Sequence, residues 1–194
     1  MQKQKSFLSV CLILLNTIAY SQSYFNLDPG HTLVQFNVER FMVGEVTGVF
    51  TKFQGKVTMD EQDHLQDVQV VIAVKSLDSN HEIRDGHLKG AMWLDADNFP
   101  EITFQSIETY NKEGQQFLKG SLTIKDITKE VTFPYKKKGP FKDPTGTVAV
   151  GFSGDLTINR QDYGINFSKV MDNGALFIGN EVVIKIRALA IVDK

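Results

Sequence analysis

Cysteine is almost missing from this chain, with one residue in 194, at position 11. That excludes an intrachain disulfide framework and any cysteine-built zinc site. Charge of either sign is in little excess. The formal net charge is −2, which argues against a dedicated nucleic-acid binder. No apolar run reaches the ~20 residues that a membrane-spanning helix needs. Tryptophan occurs once, against 14 Phe. Hydrophobic residues make up 42% of the chain and charged residues 23%, which suits a globular domain and neither a disordered nor a fibrous chain. So much Phe in a chain of one-domain length points to a large apolar interior or an apolar cavity.

Residues 1–21 read as a secretory signal peptide. Lys3 and Lys5 supply the positive start, Phe7 to Leu15 the apolar stretch, and Ala19-Tyr20-Ser21 the small-x-small pattern before a cut. Cys11 is a poor lipid acceptor, because Val10 precedes it and the apolar run continues beyond it. Removing residues 1–21 from the 194 leaves a mature domain, 22–194, of 173 residues with no cysteine. Loss of Lys3 and Lys5 leaves 19 basic side chains against 23 acidic ones. The expectation is a periplasmic or secreted protein held together by its core alone.

In the mature chain, apolar residues recur at every second position, the mark of half-buried strands. Val34, Phe36 and Val38 form one such run. Val49, Phe53, Val57 and Met59 read as one face of a long stretch. Val68, Val70, Ile72 and Val74 follow, then Ile102, Phe104 and Ser106, and then Leu118, Gly120, Leu122 and Ile124. Val131, Phe133 and Tyr135 come next, then Val148, Val150 and Phe152, and last Val182, Ile184, Ile186, Ala188 and Ala190. Turn-forming clusters at Asn111–Gly114, Lys125-Asp126, Asp143–Gly146 and Asp172-Asn173-Gly174 punctuate them. At least eight strands joined by short turns predict an antiparallel meander, as a sandwich or a closed barrel. A barrel is preferred because closure removes exposed edges. Lys136-Lys137-Lys138 reads as a solvated turn.

Ser76 to Pro100 breaks this rhythm. Ser79 followed by Glu82 has the form of a capping box, and the spacing beyond it predicts one short helix over Asn80–Gly90. Catalytic and metal motifs fail in this region. His81-Glu82-Ile83-Arg84-Asp85 has Asp85 where a zinc-protease helix has its second His. His81 and His87 fall on different helix faces. No phosphate loop or dinucleotide fingerprint is present, and Gly151-Phe152-Ser153-Gly154 lacks the spacing of a nucleophile elbow. Asn166-Phe167-Ser168 matches a glycosylation acceptor of a kind common by chance. Arg84, Asp85 and His87 are the densest polar group. They read as anchors of the helix to the barrel by charge-assisted hydrogen bonds, with contact to a ligand head group as the alternative. An acid/base role would need Asp85 to orient His87, and two residues apart on a helix they diverge. His31 and His64 read as turn residues, and Arg160 and Asp162 as ties at a strand–turn junction.

Asp28-Pro29-Gly30-His31-Thr32-Leu33-Val34-Gln35-Phe36, Gly48-Val49-Phe50, Phe53-x-Gly55, Arg84-Asp85-Gly86-His87-Leu88 and Phe99-Pro100-Glu101-Ile102-Thr103-Phe104 follow one another in order. Gly120-Ser121-Leu122-Thr123-Ile124, Thr128-Lys129-Glu130-Val131 and Arg160-Gln161-Asp162-Tyr163-Gly164 continue the series. This ordered set resembles the YceI-like family of exported, lipocalin-like lipid binders across nearly all of the mature chain. Trp93-Leu94 stands where that family usually carries two Phe. The resemblance implies an all-β fold, an eight-stranded antiparallel barrel with a helix beside it. It also implies a long apolar tunnel for a polyisoprenoid or another long-chain lipid, often in a dimer. With the motif searches above, the expectation is no metal, no other cofactor and no catalysis.

An eight-stranded barrel encloses a space that side chains just fill or that holds one ligand. The small residues Gly55, Ser106, Gly120, Ala188 and Ala190 on the apolar face favour the hollow form. The wall residues expected to touch a ligand are Val34, Phe36, Phe53, Val57, Val70, Ile72, Phe104, Leu122, Phe133, Phe152, Ile184 and Ile186. Hydrocarbon burial contributes about 0.8 kcal/mol per methylene, or roughly 4 kcal/mol per five-carbon unit, while association costs roughly 4–15 kcal/mol. One unit barely holds, and several bind well without a specific polar contact. The competing readings are a dry structural or interaction barrel and a hydrolase built on His87 and Asp85.

Overall fold

A computed structural model describes residues 22–172, 174 and 176–193. Residues 1–21, for which a signal peptide is expected, and part of the Asp172-Asn173-Gly174 turn lie outside the described residues. The period-two segments form eleven strands: β1 (Ser23–Leu27), β2 (Leu33–Arg40), β3 (Gly44–Phe50), β4 (Phe53–Met59), β5 (Leu65–Ala73), β6 (Leu77–Asp78), β7 (Glu101–Lys112), β8 (Gln115–Ile124), β9 (Ile127–Lys142), β10 (Val148–Asn159) and β11 (Ile178–Val192). One helix, α1 (Glu82–Lys89), lies between β6 and β7. The strands pair antiparallel in the order β1-β4-β5-β7-β8-β9-β10-β11, and β11 returns to β1. This is the expected closed eight-stranded barrel.

The three extra strands are continuations. β11 pairs with β1 near its end and with β2 nearer its start. β3 pairs with β2 and β6 with β3, as β4 pairs with β1 and β5 with β4. The first three staves of the barrel are therefore each broken once, at Asp28–Thr32, Thr51-Lys52 and Val74–Ser76. The breaks at Thr51-Lys52 and Val74–Ser76 are bonded to each other. Thr51 N–H donates to Ser76 O at 3.2 Å and Ala73 N–H to Lys52 O at 3.0 Å. The Ser76 hydroxyl donates to Ala73 O at 2.7 Å.

A break of this kind resets which side chains face inward, because a one-residue slip flips every side chain of a strand. Val57 and Met59 are buried in β4, whereas Val46 and Phe50 are buried in β3. Val49 therefore does not share a face with Phe53 and Val57, as unbroken alternation predicts. A second correction concerns Lys136–Lys138. These residues are strand, not turn, and pair with Ser153, Phe152 and Gly151 of β10. Pairing with a neighbouring strand overrides their weak intrinsic preference.

The helix starts two residues later than the capping-box reading places it. The Asp78 carboxylate accepts from Asn80 N–H at 2.8 Å, and Asn80 adopts a left-handed φ of 60°. The chain cannot yet be helical there, and His81 caps instead, its Nδ1 accepting from Arg84 N–H at 3.3 Å. Ser79 is left to face the helix. Buried Asp85 accepts from the Ser79 backbone N–H at 3.0 Å and from the Ser79 hydroxyl. Arg84 Nε donates to the Ser79 hydroxyl at 2.8 Å and its Nη2 to Ser79 O at 2.5 Å. This latch ties α1 to the end of β6 through hydrogen bonds with charged partners, which are about twice as strong as neutral ones.

Asp85→Ala is expected to lower unfolding free energy by about 2–3 kcal/mol, since it strips charged partners from buried donors; a urea titration showing under ~0.5 kcal/mol would refute the latch. Gly86 sits inside α1, and a Cβ there meets nothing within 4 Å. Gly86→Ala is expected to raise stability by about 0.5–1 kcal/mol through helix propensity, and the same titration checks it.

Candidate functional site

The inward-facing residues do not fill the barrel. A cavity of about 960 Å³ runs through it, at the upper end of the roughly 300–1,000 Å³ range of small-molecule sites. Leu65, Val57, Leu118 and Leu27 line its far end. Exposed Ile83 and Met92 line it at the α1 end, so the cavity opens to solvent there.

Glycines opposite aromatic rings keep the lumen clear. A Cβ on Gly48 would lie 2.3 Å from Phe36 Cζ, and one on Gly120 would lie 2.4 Å from Phe104 Cζ. A Cβ on Gly55 would lie 2.7 Å from Leu27 Cδ1, and one on Gly154 would lie 3.1 Å from Phe133 Cδ2. Each glycine vacates the space that a neighbouring side chain then covers, so the ring lies across the wall. Two pairs of rings reinforce this arrangement: Phe36–Phe50 at 5.9 Å between centroids and Phe104–Phe133 at 6.0 Å. The inward-facing Ile184, Ile186, Phe104 and Phe36 pack against the core yet are only half-buried; what they expose is lumen.

Of the residues expected to form the wall, Val34, Phe36, Val57, Val70, Ile72, Phe104, Leu122, Phe133, Phe152, Ile184 and Ile186 all line the cavity. Phe53 is the exception. It has the right parity, but it is the first residue of β4, at the Thr51-Lys52 break, and packs against the core without reaching the cavity. Gly120 is covered by Phe104, and Ala188 lines the cavity. Ser106 is turned to other use at a bulge in β7: its hydroxyl accepts from Val68 N–H at 2.8 Å and donates to Asp67 at 2.5 Å. Arg84 and His87 line the cavity, whereas Asp85 does not. Asp85 is committed to Ser79, so it does not orient His87. His31 and His64 sit in turns beside Asp28 and Asp60, at 2.6 Å and 3.2 Å.

Sequence reasoning missed the lid. Leu88, Trp93 and Leu94 from α1 and the segment after it, together with Ile165, Phe167 and Phe177, line the open end. The Trp93 ring packs at a tilt against Phe167, 5.2 Å between centroids, and its centroid lies 5.5 Å from the Arg160 guanidinium. These residues lie outside regular strands, where no periodicity reports which way a side chain faces. Their apolar character was the available signal. Arg160 does tie the strand end down, donating to Gly179 O, Ile165 O and Asn180 Oδ1 at 3.0, 2.6 and 2.8 Å. It is also part of the cavity lining.

Gly48→Ala is expected to push Phe36 into the lumen, since the nearest atoms a Cβ would meet belong to that movable ring. Overpacking of this kind costs about 1–3 kcal/mol of stability. Affinity for a fluorescent long-chain fatty acid should fall at the same time; unaltered affinity would show that the ring does not define the lumen.

The YceI-like domain profile matches residues 25–190. A UPF0312 protein of Staphylococcus aureus (strain N315) is 34% identical over 166 residues, covering 81% of this chain and 91% of that one. Burkholderia cenocepacia BcnA superposes with a TM-score of 0.73 at 25% identity, covering 84% of this chain and 98% of that one. A polyisoprenoid binding domain from Saccharophagus degradans, implicated in plant cell wall breakdown, superposes with a TM-score of 0.62 at 12% identity, covering 90% of this chain and 100% of that one.

Proposed function

The chain belongs to the YceI-like family, and from that premise we propose that it holds one long apolar molecule inside its barrel: a polyisoprenoid, an isoprenoid quinone or a fatty-acid derivative. The observation that carries this reading is the 960 Å³ lumen with its almost wholly apolar wall. Lining an accessible cavity with Phe, Ile, Leu and Val forgoes burial that a packed core would gain, and a chain-shaped ligand restores it. Several isoprene units overcome the association cost where one does not. The cavity's size and shape, and not polar contacts, then select for chain length. The polyisoprenoid-binding description of the S. degradans domain, which shares the fold, agrees with this reading.

The role follows from the chemistry of such ligands, which cross water poorly unaided. An exported binder, its leader removed after residue 21, would carry, buffer or sense them in the periplasm or outside the cell. No enzymatic step is assigned, because the one carboxylate beside His87 in sequence is spent on Ser79.

Mass spectrometry of an organic extract of the mature protein tests the proposal. A long-chain lipid near one equivalent is expected; no extractable lipid, together with no uptake of added prenyl alcohol, would leave a dry barrel instead. Phe104→Asp should abolish loading while the circular dichroism spectrum stays β-rich. Unchanged loading in that variant would remove Phe104 from the wall.

A further inference from the structure

The charge in the cavity lining is all of one sign. Among the described residues, the lining contains Arg40, Arg84 and Arg160, with His81 and His87, and no Asp or Glu. The chain as a whole has the opposite balance, 21 Lys and Arg against 23 Asp and Glu. All five basic residues stand at the α1 end, where β2 ends, β10 leaves the sheet and α1 packs.

Two of the arginines are placed unusually. Arg160 is only 3% exposed, and its hydrogen-bond acceptors are two backbone carbonyls and an amide, all neutral. A buried charge without an opposite charge is costly, and burial accordingly lowers the affinity of this guanidinium for its proton. Arg40 has less support still. Its Nε is buried with no hydrogen-bond partner, and its guanidinium packs 4.7 Å from the Phe41 ring centroid and 5.4 Å from that of Phe177. Among the described residues, no carboxylate forms an ion pair with Arg40, Arg84 or Arg160. A guanidinium fork fits a carboxylate or a phosphate in two-pronged fashion.

We propose that the α1 end of the cavity is an anion site that receives the negatively charged head group, carboxylate or phosphate, of a single-chain lipid. This rests on the tunnel reading and deepens it. The tail supplies affinity by filling the lumen toward Leu65 and Leu118. The head group supplies orientation, lying against the Arg40 guanidinium that lines the cavity and providing the opposite charge that Arg160 lacks. A neutral alcohol of the same length fills the same lumen but leaves both arginines as they are.

Dodecanoic acid, dodecyl phosphate and dodecanol share one tail and differ in head group. Each is titrated against the delipidated mature protein in competition with a fluorescent fatty alcohol. At least one anion should bind about tenfold or more tightly than dodecanol, the factor that one charge-assisted hydrogen bond supplies. Whichever anion gains more identifies the head-group chemistry. Arg40→Gln should cut that anion-to-alcohol ratio to below about threefold; because the ratio is taken within one variant, a general weakening of binding cancels, and thermal unfolding confirms that the variant is folded. Equal affinity of all three ligands overturns the anion site while leaving the tunnel in place. Binding of none of them overturns both. A ratio unchanged in Arg40→Gln overturns the role given to Arg40.

Discussion

Everything in this molecule depends on keeping an apolar lumen open inside a closed sheet. Hydrophobic side chains lining water gain by collapsing together, and eight strands enclose a space that their own side chains are able to fill. The structure resists this by pairing glycine with large side chains across neighbouring strands. Phe36 covers Gly48, Phe104 covers Gly120, Phe133 covers Gly154 and Leu27 covers Gly55. The rings thus thicken the wall instead of plugging the centre, and the lumen keeps room for a chain-shaped guest.

The two ends of the barrel are built differently. At the far end, buried side chains such as Leu65, Val57 and Leu118 line the lumen. At the other end, α1 and the segments after it and after β10 provide the Leu, Trp and Phe cover together with Arg84 and Arg160, and the end of β2 adds Arg40. The latch of Ser79, Arg84 and Asp85 positions this cover. The apolar stretch of the lining and its basic residues are thereby separated in space along one cavity.

Much of this was legible in the sequence. Where a strand runs unbroken, as in β8, β10 and β11, alternation alone places the inward residues, and Leu122, Phe152, Ile184 and Ile186 all reach the lumen. It fails where a stave is interrupted. Thr51-Lys52 resets the parity, which moves Val49 off the inner face and leaves Phe53 at a strand start, short of the cavity. Neither the Lys136–Lys138 strand nor the helix start was readable locally. Pairing with β10 sets the first, and the left-handed Asn80 after Asp78 sets the second. The lid residues and Arg40 escaped for a related reason: their roles arise where separate loops meet, and a single segment carries no record of that meeting.

The most direct measurement is a high-resolution crystal structure of residues 22–194, purified without a delipidation step. The account predicts continuous, elongated density along the lumen between Phe36, Phe104 and Ile186, ending near Arg40. A barrel whose Phe36, Phe104 and Phe133 rings have swung inward to pack the centre, leaving no room for a chain, would contradict it.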